Sequence, residues 1–501
     1  MGYDVIVVGA GSAGGVLAER LSANPDREVL LLEAGPDFGS AARDLPIELT
    51  DITDLTETPY DWGYISEPGA DGARVPLAAG RVVGGSSATN NAMALRGQPA
   101  DYDAWAAQDD PGLAFADLLP YFRSVERDLD FSGEWHGDRG PIPISRPGAD
   151  EWTSLQRAFV AACAEAGYAA IDDHNAPGTT GVGPMPFNQV DGVRQSTALT
   201  YLAASRQRPN LTVRGGVRVE RILLDGNRAV GVRTAESRET VHADLVVLAA
   251  GAYGSPLLLL RSGIGPADEL AADGLEARID LPGVGRNLQD HPLLRLPFAA
   301  AVSDGTPPLQ NLLTCAVDGP DPELQIFPAG PDVVGGESLC HMVIGLVAPH
   351  SRGTVRLRGG RPAISPRLLE HPDDARRMAT GVRLAQRIAA TAPLARLLTP
   401  TRIDTDLDAM VRAESASYQH PVGTCRMGPD TDPTAVPSTP RGRPPRWAPH
   451  PPPPPVTPPR GAAPGAAGLH VVDASTMPSI PRANTNLTTL ALAEKFSAAL
   501  T

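Results

Sequence analysis

The sequence has few cysteines and no long apolar run. Its 501 residues include four widely separated cysteines, Cys163, Cys315, Cys340 and Cys425, and none of them forms a CxxC pair. This spacing argues against a disulfide framework or a zinc site and favours a reducing, cytoplasmic location. The longest apolar run beside a loop, 257–260, is far too short to span a bilayer, so no transmembrane segment is expected.

Basic residues are also in deficit. The 43 basic residues stand against 58 acidic ones and leave a formal net charge of -15, which opposes nucleic acid or anionic membrane as a partner. The ten histidines include no HExxH pattern, so no metal is expected. Met1 precedes the first predicted strand almost directly, which leaves no room for a signal peptide. The length predicts a globular enzyme of two joined domains.

The strongest local signal lies at 4–33, DVIVVGAGSAGGVLAERLSANPDREVLLLE. A short apolar strand leads into a GxGxxG turn, a helix and a second apolar strand that ends in an acid. Gly9 permits the tight turn, Gly11 lets the backbone approach a pyrophosphate, and Gly14 lets the helix pack closely on the strand. Glu33 lies where a carboxylate accepts hydrogen bonds from ribose hydroxyls. The pattern predicts an α/β, Rossmann-like doubly wound domain that binds a dinucleotide.

The same residues have an alternative interpretation. Residues 10–14, AGSAG, resemble a relaxed nucleophile elbow with Ser12 on a strand-to-helix turn, as in α/β-hydrolases. A hydrolase sheet usually places its nucleophile after several strands, and this alternative leaves Glu33 unexplained. The dinucleotide interpretation is therefore favoured.

Strand signals return after residue 205 and again near the C-terminus. They predict a discontinuous dinucleotide-binding domain formed by residues 1–150, 205–291 and 465–501. Residues 151–204 and 292–436 are expected to form a smaller α+β, sheet-and-helix substrate domain. Residues 437–464 stand apart because proline fills about half of positions 437–460 and acidic residues are missing there. Such a composition predicts a disordered insertion, and it favours a pair of frameshifts over a selected insertion.

Four motifs follow one another along the chain. They are GAGSAG with LLEAG, GRVVGGSSATNNAMALRG at 80–97, GAYGSPLLLLRSGIG at 251–265 with LPGVGRNLQDH, and YQHPVGTCRMG at 418–428 with VVDASTMPSIPRANTN. Together they resemble the glucose–methanol–choline (GMC) oxidoreductases, a family of FAD-dependent alcohol-oxidising enzymes. The resemblance runs from Tyr3 to Phe496 and implies FAD as the cofactor.

The resemblance also implies roles for individual residues. His420 corresponds to the active-site histidine and Asn484 to the second catalytic residue, whereas His291 is interpreted as structural and Cys425 as a buried neighbour. Some relatives attach FAD through a histidine at the position of Thr89, so the flavin here is expected to be non-covalent. The expected cofactor-binding residues are Gly9, Gly11, Ser12, Gly14, Glu33, Val82, Gly84, Asn90, Asn91, Ala92, Met93, Val217, Asp473 and Ala474.

The implied reaction is oxidation of the CH–OH group of a small alcohol or polyol, with hydride transfer to flavin N5. His420 would be the base, with a pKa near working pH, and Asn484 would hold the substrate oxygen. A dehydrogenase is favoured over an oxidase, and the electron acceptor is a quinone, a redox carrier or oxygen. Two alternatives remain: a flavin-binding homologue impaired by the 437–464 stretch, and a dehydrogenase that reoxidises a peptide-derived redox carrier.

Overall fold

The computed structural model describes residues 2–53, 58–69, 72–107, 111–302, 304–334, 337–401, 406–427 and 466–500. The predicted insertion at 437–464 lies outside these residues. Within the described part of the chain, no helix combines the length and apolar character needed to cross a membrane. All four cysteines are buried free thiols.

The first sheet is built around parallel strands. Its parallel strands are, in spatial order, Leu211–Arg214, Val29–Leu32, Tyr3–Val8, Thr240–Leu248 and Leu469–Val471. A hairpin of Val219–Asp225 and Arg228–Thr234 pairs antiparallel with the first half of Thr240–Leu248. Segments from both ends of the chain and from its middle thus meet in one sheet.

Both faces of this sheet are covered. Val5 and Val7 pack with helices Ser12–Leu21 and Asn486–Leu500, while Ile6 and Val8 pack on the other face with helix Gly251–Arg261. A strand that is buried on both faces carries a continuous apolar run, which is why this stretch has no polar alternation. The predicted doubly wound α/β class is confirmed.

The second sheet is antiparallel. Its strands are, in spatial order, Leu398–Pro400, Pro292–Ala300, Glu337–Leu346, Leu324–Val334, Asn311–Cys315 and Gly181–Pro184, with Ala416–Ser417 at one end of Pro292–Ala300. Helices Ser154–Glu165 and Pro372–Ala389 cover one face through an apolar core. This sheet-and-helix unit has the predicted α+β character, whereas the exact domain boundaries stay a prediction.

The remaining helices and short strand pairs lie outside the two large sheets. The remaining α-helices are Pro99–Ala106, Phe115–Val125, Tyr201–Ser205, Ala267–Ala272, Ala392–Ala395 and Leu407–Glu414. The 3-10 helices are Ala42–Asp44, Ile47–Leu49, Gly85–Ala88, Pro111–Leu113 and Ala474–Thr476. Two-stranded pairs are formed by Tyr64–Ile65 with Pro76–Leu77, Glu126–Asp128 with Ile142–Ile144, Gln189–Val190 with Val193–Arg194, Ile264–Gly265 with Ile279–Asp280, and Thr354–Arg358 with Arg361–Ser365.

Candidate active site

The opening glycine turn is packed too tightly for a side chain at Gly9 or Gly14. Gly9 has a φ of +100°, and a Cβ there would lie 2.5 Å from the carbonyl oxygen of Ala249. A Cβ on Gly14 would lie 1.8 Å from the carbonyl oxygen of Gly9. The start of helix Ser12–Leu21 is therefore held against the strand ends, as the spacing predicts, with its N-terminal dipole directed at the turn.

A second glycine turn approaches the first. The Gly84 N–H donates to the Ala10 carbonyl over 2.8 Å, and Gly84 has a φ of +104°. A Cβ on Gly85 would come within 2.6 Å of the Gly11 Cα atom. The two turns form a narrow, side-chain-free surface, which is the kind of cradle that lets backbone N–H groups approach a phosphate.

Glu33 lies beside these turns and is only 6% exposed. Its Oε2 accepts from the Ala10 N–H and its Oε1 from the Gly35 N–H, each over 2.9 Å. Burial raises the pKa of this carboxyl. A carboxylate accepts about four hydrogen bonds, so acceptor capacity remains for a ribose hydroxyl even when the backbone interaction of Ala34 is included. The Val217 N–H donates to the main-chain carbonyl of Glu33, which brings another predicted cofactor residue to the same place.

Ser12 does not have the surroundings of a hydrolytic nucleophile. Its hydroxyl donates to Oδ1 of Asn486 over 2.7 Å. A nucleophilic serine needs an imidazole base at this position, and the partner here is an amide. The geometry therefore does not support the nucleophile-elbow alternative.

The 80–97 motif continues from the glycine turn towards the second sheet. Val82 is buried, Asn91 is exposed, and Oδ1 of Asn90 accepts from the Ala92 N–H over 2.9 Å. This contact supports the left-handed conformation of Ala92, which has a φ of +55°. Met93 is buried, and its Sδ lies 3.9 Å from Nδ2 of Asn484. The motif thus connects the glycine turns to the predicted catalytic residues.

Asp473 holds two motifs together. Its Oδ2 accepts from the Gly251 N–H and the Ser255 hydroxyl, and its Oδ1 accepts from the Ser475 N–H. The neighbouring Ala474 carbonyl accepts from the Gly423 N–H over 3.2 Å. The Asp473 side chain is therefore engaged by protein donors and orders the loop in which a flavin contact is predicted.

The two predicted catalytic residues meet although 64 positions separate them. Nε2 of His420 lies 3.1 Å from Nδ2 of Asn484, and both residues are less than one-tenth exposed. On the opposite side of the ring, Nδ1 of His420 lies 3.0 Å from Nδ1 of His291. His291 was interpreted from the sequence as structural, yet it directly contacts the predicted base.

The loop carrying His420 is fastened by Asp290, a residue that the sequence analysis missed. Asp290 Oδ1 accepts from the His420 N–H over 2.8 Å, and its Oδ2 accepts from the Ser417 hydroxyl. Ser417 Oγ in turn accepts from the N–H of Gln419, whose φ is +67°. The only sequence signal was the position of Asp290, directly before His291 in the LPGVGRNLQDH motif.

Burial controls the protonation of this site. It lowers the pKa of His420 to about 3 and that of His291 well below the ordinary value. It raises the pKa of Asp290 to about 6. The expectation of a near-neutral pKa for His420 is therefore wrong, because the buried ring loses hydration that would stabilise its charged form. A pKa this low leaves His420 a neutral imidazole at neutral pH, with a lone pair on one of its two ring nitrogens.

An apolar wall stands beside the two polar residues. Tyr418 has its ring centroid 4.4 Å from that of His420 and donates its hydroxyl to Gln325 Oε1 over 3.0 Å. The same cluster contains Met93, Phe187, Leu312 and Phe327. Oδ1 of Asn484 is buried without a hydrogen-bond partner among the described residues. A buried amide oxygen in this state is a ready acceptor for a ligand hydroxyl.

A separate buried cluster resembles a metal site but is an ionic network. Glu126, Asp128 and His136 bring potential ligand atoms together, and Arg96 and Arg146 supply the opposing charges. Burial alone opposes a charge on His136, but hydrogen bonds to the neighbouring carboxylates raise its pKa to about 11. The two arginines and the protonated His136 therefore balance the charge of the carboxylates within the protein itself.

The fold and the glycine cradle define a dinucleotide-binding protein, and comparisons identify the family. Two family models described as GMC oxidoreductase match residues 3–293 and residues 349–443 with 448–493. The chain belongs to the GMC oxidoreductase family and is an FAD-dependent oxidoreductase. The cradle and the spare acceptors of Glu33 fit this cofactor.

Individual relatives resemble nearly the whole chain. It is 35% identical to 5-(hydroxymethyl)furfural oxidase of Methylovorus sp., covering 99% of this chain and 98% of that protein. It is 31% identical to an oxygen-dependent choline dehydrogenase of Photobacterium profundum, covering 99% and 93%. The crystal structure of pyridoxine 4-oxidase from Mesorbium loti has a TM-score of 0.87 at 32% identity, covering 99% and 98%.

Proposed function

We propose that this protein oxidises the CH–OH group of a small alcohol to a carbonyl, with His420 as the base and Asn484 as the oxygen-orienting residue. The observation that carries the proposal is the buried pair of His420 Nε2 and Asn484 Nδ2, 3.1 Å apart and next to Met93 of the 80–97 motif. The names of three relatives point the same way, because hydroxymethylfurfural, choline and pyridoxine all carry an alcohol group.

When bound, FAD would supply the hydride acceptor. The side chains of the protein bind the alcohol oxygen and accept the proton of its hydroxyl group. In this proposal the alcohol oxygen takes the place of the direct contact between His420 Nε2 and Asn484 Nδ2, and the neutral His420 ring accepts the hydroxyl proton at Nε2. The Asn484 amide donates to the same oxygen and stabilises the negative charge that develops on it. Exclusion of water by the surrounding apolar side chains strengthens both interactions. A low pKa makes His420 a weak base. The hydrogen bond from Asn484 to the alcohol oxygen and the exclusion of water therefore have to assist the proton transfer.

The apolar wall indicates the substrate class. Phe187, Phe327 and Tyr418 belong to the cluster that flanks the pair, so they favour an alcohol with an apolar or aromatic body over a polyol. Dehydrogenase rather than oxidase activity, with a quinone, a redox carrier or oxygen as acceptor, stays a prediction. The cytoplasmic location also stays a prediction.

Reduction of the flavin by a panel of alcohols without oxygen tests the function. His420→Ala should keep its flavin while flavin reduction slows by about 10²–10⁴-fold, the range for loss of a positioned base. Asn484→Ala should slow the reaction less, since the base remains. His242→Ala, at an exposed histidine, is the matched control and should reduce its flavin at the wild-type rate.

Two outcomes would contradict the proposal. Near-normal flavin reduction in His420→Ala would show that another residue is the base. Bound flavin that no alcohol reduces in the wild-type protein would instead favour the flavin-binding homologue without turnover.

A further inference from the structure

The two buried histidines share one hydrogen bond. Their Nδ1 atoms lie 3.0 Å apart, and the rings meet edge to face at an interplanar angle of 85°. Two neutral imidazoles in this contact need one protonated and one unprotonated Nδ1, because two N–H groups or two lone pairs would repel. Whichever ring donates therefore determines whether Nε2 of His420, the nitrogen that faces Asn484, carries a lone pair or a hydrogen.

The surroundings of His291 decide the direction. Burial lowers the pKa of His291, whereas backbone hydrogen-bonding interactions with Pro481 and Val347 oppose this lowering and so favour a ring N–H. Because Nδ1 faces His420, we assign this hydrogen to Nε2. A neutral ring with its hydrogen on Nε2 has a lone pair on Nδ1. His291 is therefore the acceptor and His420 the donor in the shared contact.

The opposite end of His420 agrees with this direction. With the hydrogen on Nδ1, His420 presents a lone pair at Nε2, where the Asn484 Nδ2 donor lies 3.1 Å away. The reverse tautomer would place two N–H groups against each other at this contact. With the Asn484 amide nitrogen directed at the ring, both ends of His420 fit the same tautomer.

We propose that His291 is a positioning residue that holds His420 in its Nδ1–H tautomer and accepts the hydrogen bond of the imidazolium formed during alcohol oxidation. This role rests on the proposed function. The alcohol O–H bond breaks, its proton binds to His420 Nε2, and the Nδ1–H remains donated to His291. The positive charge is then spread over a hydrogen-bonded ring pair rather than one isolated ring.

Few other polar groups oppose or assist this charge. The Asp290 carboxylate holds the His420 main-chain N–H and the Ser417 hydroxyl, and the Tyr418 hydroxyl points away to Gln325. Burial of the ring is what lowers the pKa of His420. The neutral acceptor on His291 is therefore the direct side-chain partner available to the Nδ1–H among the described residues.

Nitrogen-15 NMR of the FAD-loaded protein tests the tautomer without turnover. Histidine-labelled protein has ten histidines, and the two rings are assigned by the signals that disappear in His291→Asn and His420→Asn. We expect a protonated Nδ1 and an unprotonated Nε2 for His420, with the reverse for His291. Protonated Nε2 on resting His420 would overturn the proposal.

Two substitutions at His291 test the consequence for the reaction. His291→Leu removes the acceptor, and flavin reduction should slow by about 10- to 100-fold at unchanged substrate affinity and flavin content. His291→Asn places an amide oxygen near the former Nδ1 and should recover the rate to within about threefold of wild type. The pH profile of His291→Leu should also reach its plateau at lower pH, since the imidazolium has lost a stabilising partner.

The outcomes separate this role from a structural one. A merely structural His291 would lower flavin content or stability in both variants without moving the pH profile, and this result would refute the positioning role. A wild-type rate in His291→Leu would refute it too. If no alcohol reduces the wild-type flavin, the proposed function fails, while the NMR measurement still decides the tautomer. If His291→Leu does not fold, the NMR result and His291→Asn decide.

Discussion

Replacing Asp290 by Asn should change how stability depends on pH. Asp290 is buried, and burial raises its pKa to about 6 from an ordinary value of 3.8. Between these two values the folded protein binds a proton that the unfolded chain has released. Stability from this group is therefore greatest below pH 4 and is lost as the pH rises through 6. Asn at this position does not titrate, so the free energy of unfolding of the variant should not fall in this way as the pH rises.

The difference between the folded and unfolded pKa of Asp290 determines how much the free energy of unfolding changes with pH. At about 1.4 kcal/mol per pH unit, a rise from 3.8 to about 6 corresponds to about 3 kcal/mol lost by the wild type across the full transition. About 2 kcal/mol of this falls between pH 4.5 and 7.5. The amide oxygen of Asn can still accept the His420 N–H, and the Ser417 hydroxyl can rotate to accept from the amide nitrogen. The loop should therefore keep its path.

Urea unfolding at a series of pH values, with the same saturating FAD concentration, measures the difference. The free energy of unfolding of wild type minus that of Asp290→Asn should fall steadily from pH 4.5 to 7.5. Asp225→Asn makes the same chemical change at the exposed end of strand Val219–Asp225 and measures the effect of the substitution without burial. A difference that is constant, or that rises with pH, would show that the buried carboxyl does not bind a proton in the way inferred.

Three further predictions concern packing and the cofactor. Gly345→Ala would place a Cβ 2.6 Å from the Tyr418 ring and should cost about 1–3 kcal/mol of unfolding free energy and slow flavin reduction; an unchanged rate and stability would contradict the packing. Glu33→Gln should weaken FAD binding by about 10- to 100-fold, measured by flavin titration, because one buried N–H meets an amide nitrogen. Acid precipitation should release the flavin into the supernatant, since Thr89 cannot form a histidyl link, and flavin retained in the pellet would refute this.

Matched controls accompany the two substitutions. Gly319→Ala adds the same methyl group where no atom lies within 4 Å, so stability should hold. Glu28→Gln neutralises an exposed carboxylate near the same strand and should leave the flavin titration unchanged. A loss of FAD affinity in Glu28→Gln equal to that in Glu33→Gln would point to net charge rather than to the buried contact.

The sequence alone was sufficient for the fold class and the cofactor. The contact between Gly9 and Gly14 joins residues five positions apart, so its requirement for glycine is visible in the local spacing. The apolar run 5–8 within strand Tyr3–Val8 likewise shows that both faces of its sheet are covered. These features are local, and a local pattern determines them.

Only the tertiary structure decided the chemistry of the site. His291 meets His420 across 129 positions, and Ser12 finds its amide partner Asn486 across 474. The low pKa of His420 arises from burial of its ring in the folded protein, so a near-neutral pKa was the wrong expectation. Hydrogen bonds and desolvation depend on distances in space, and residues far apart in the chain acquire those distances only when the sheets pack together.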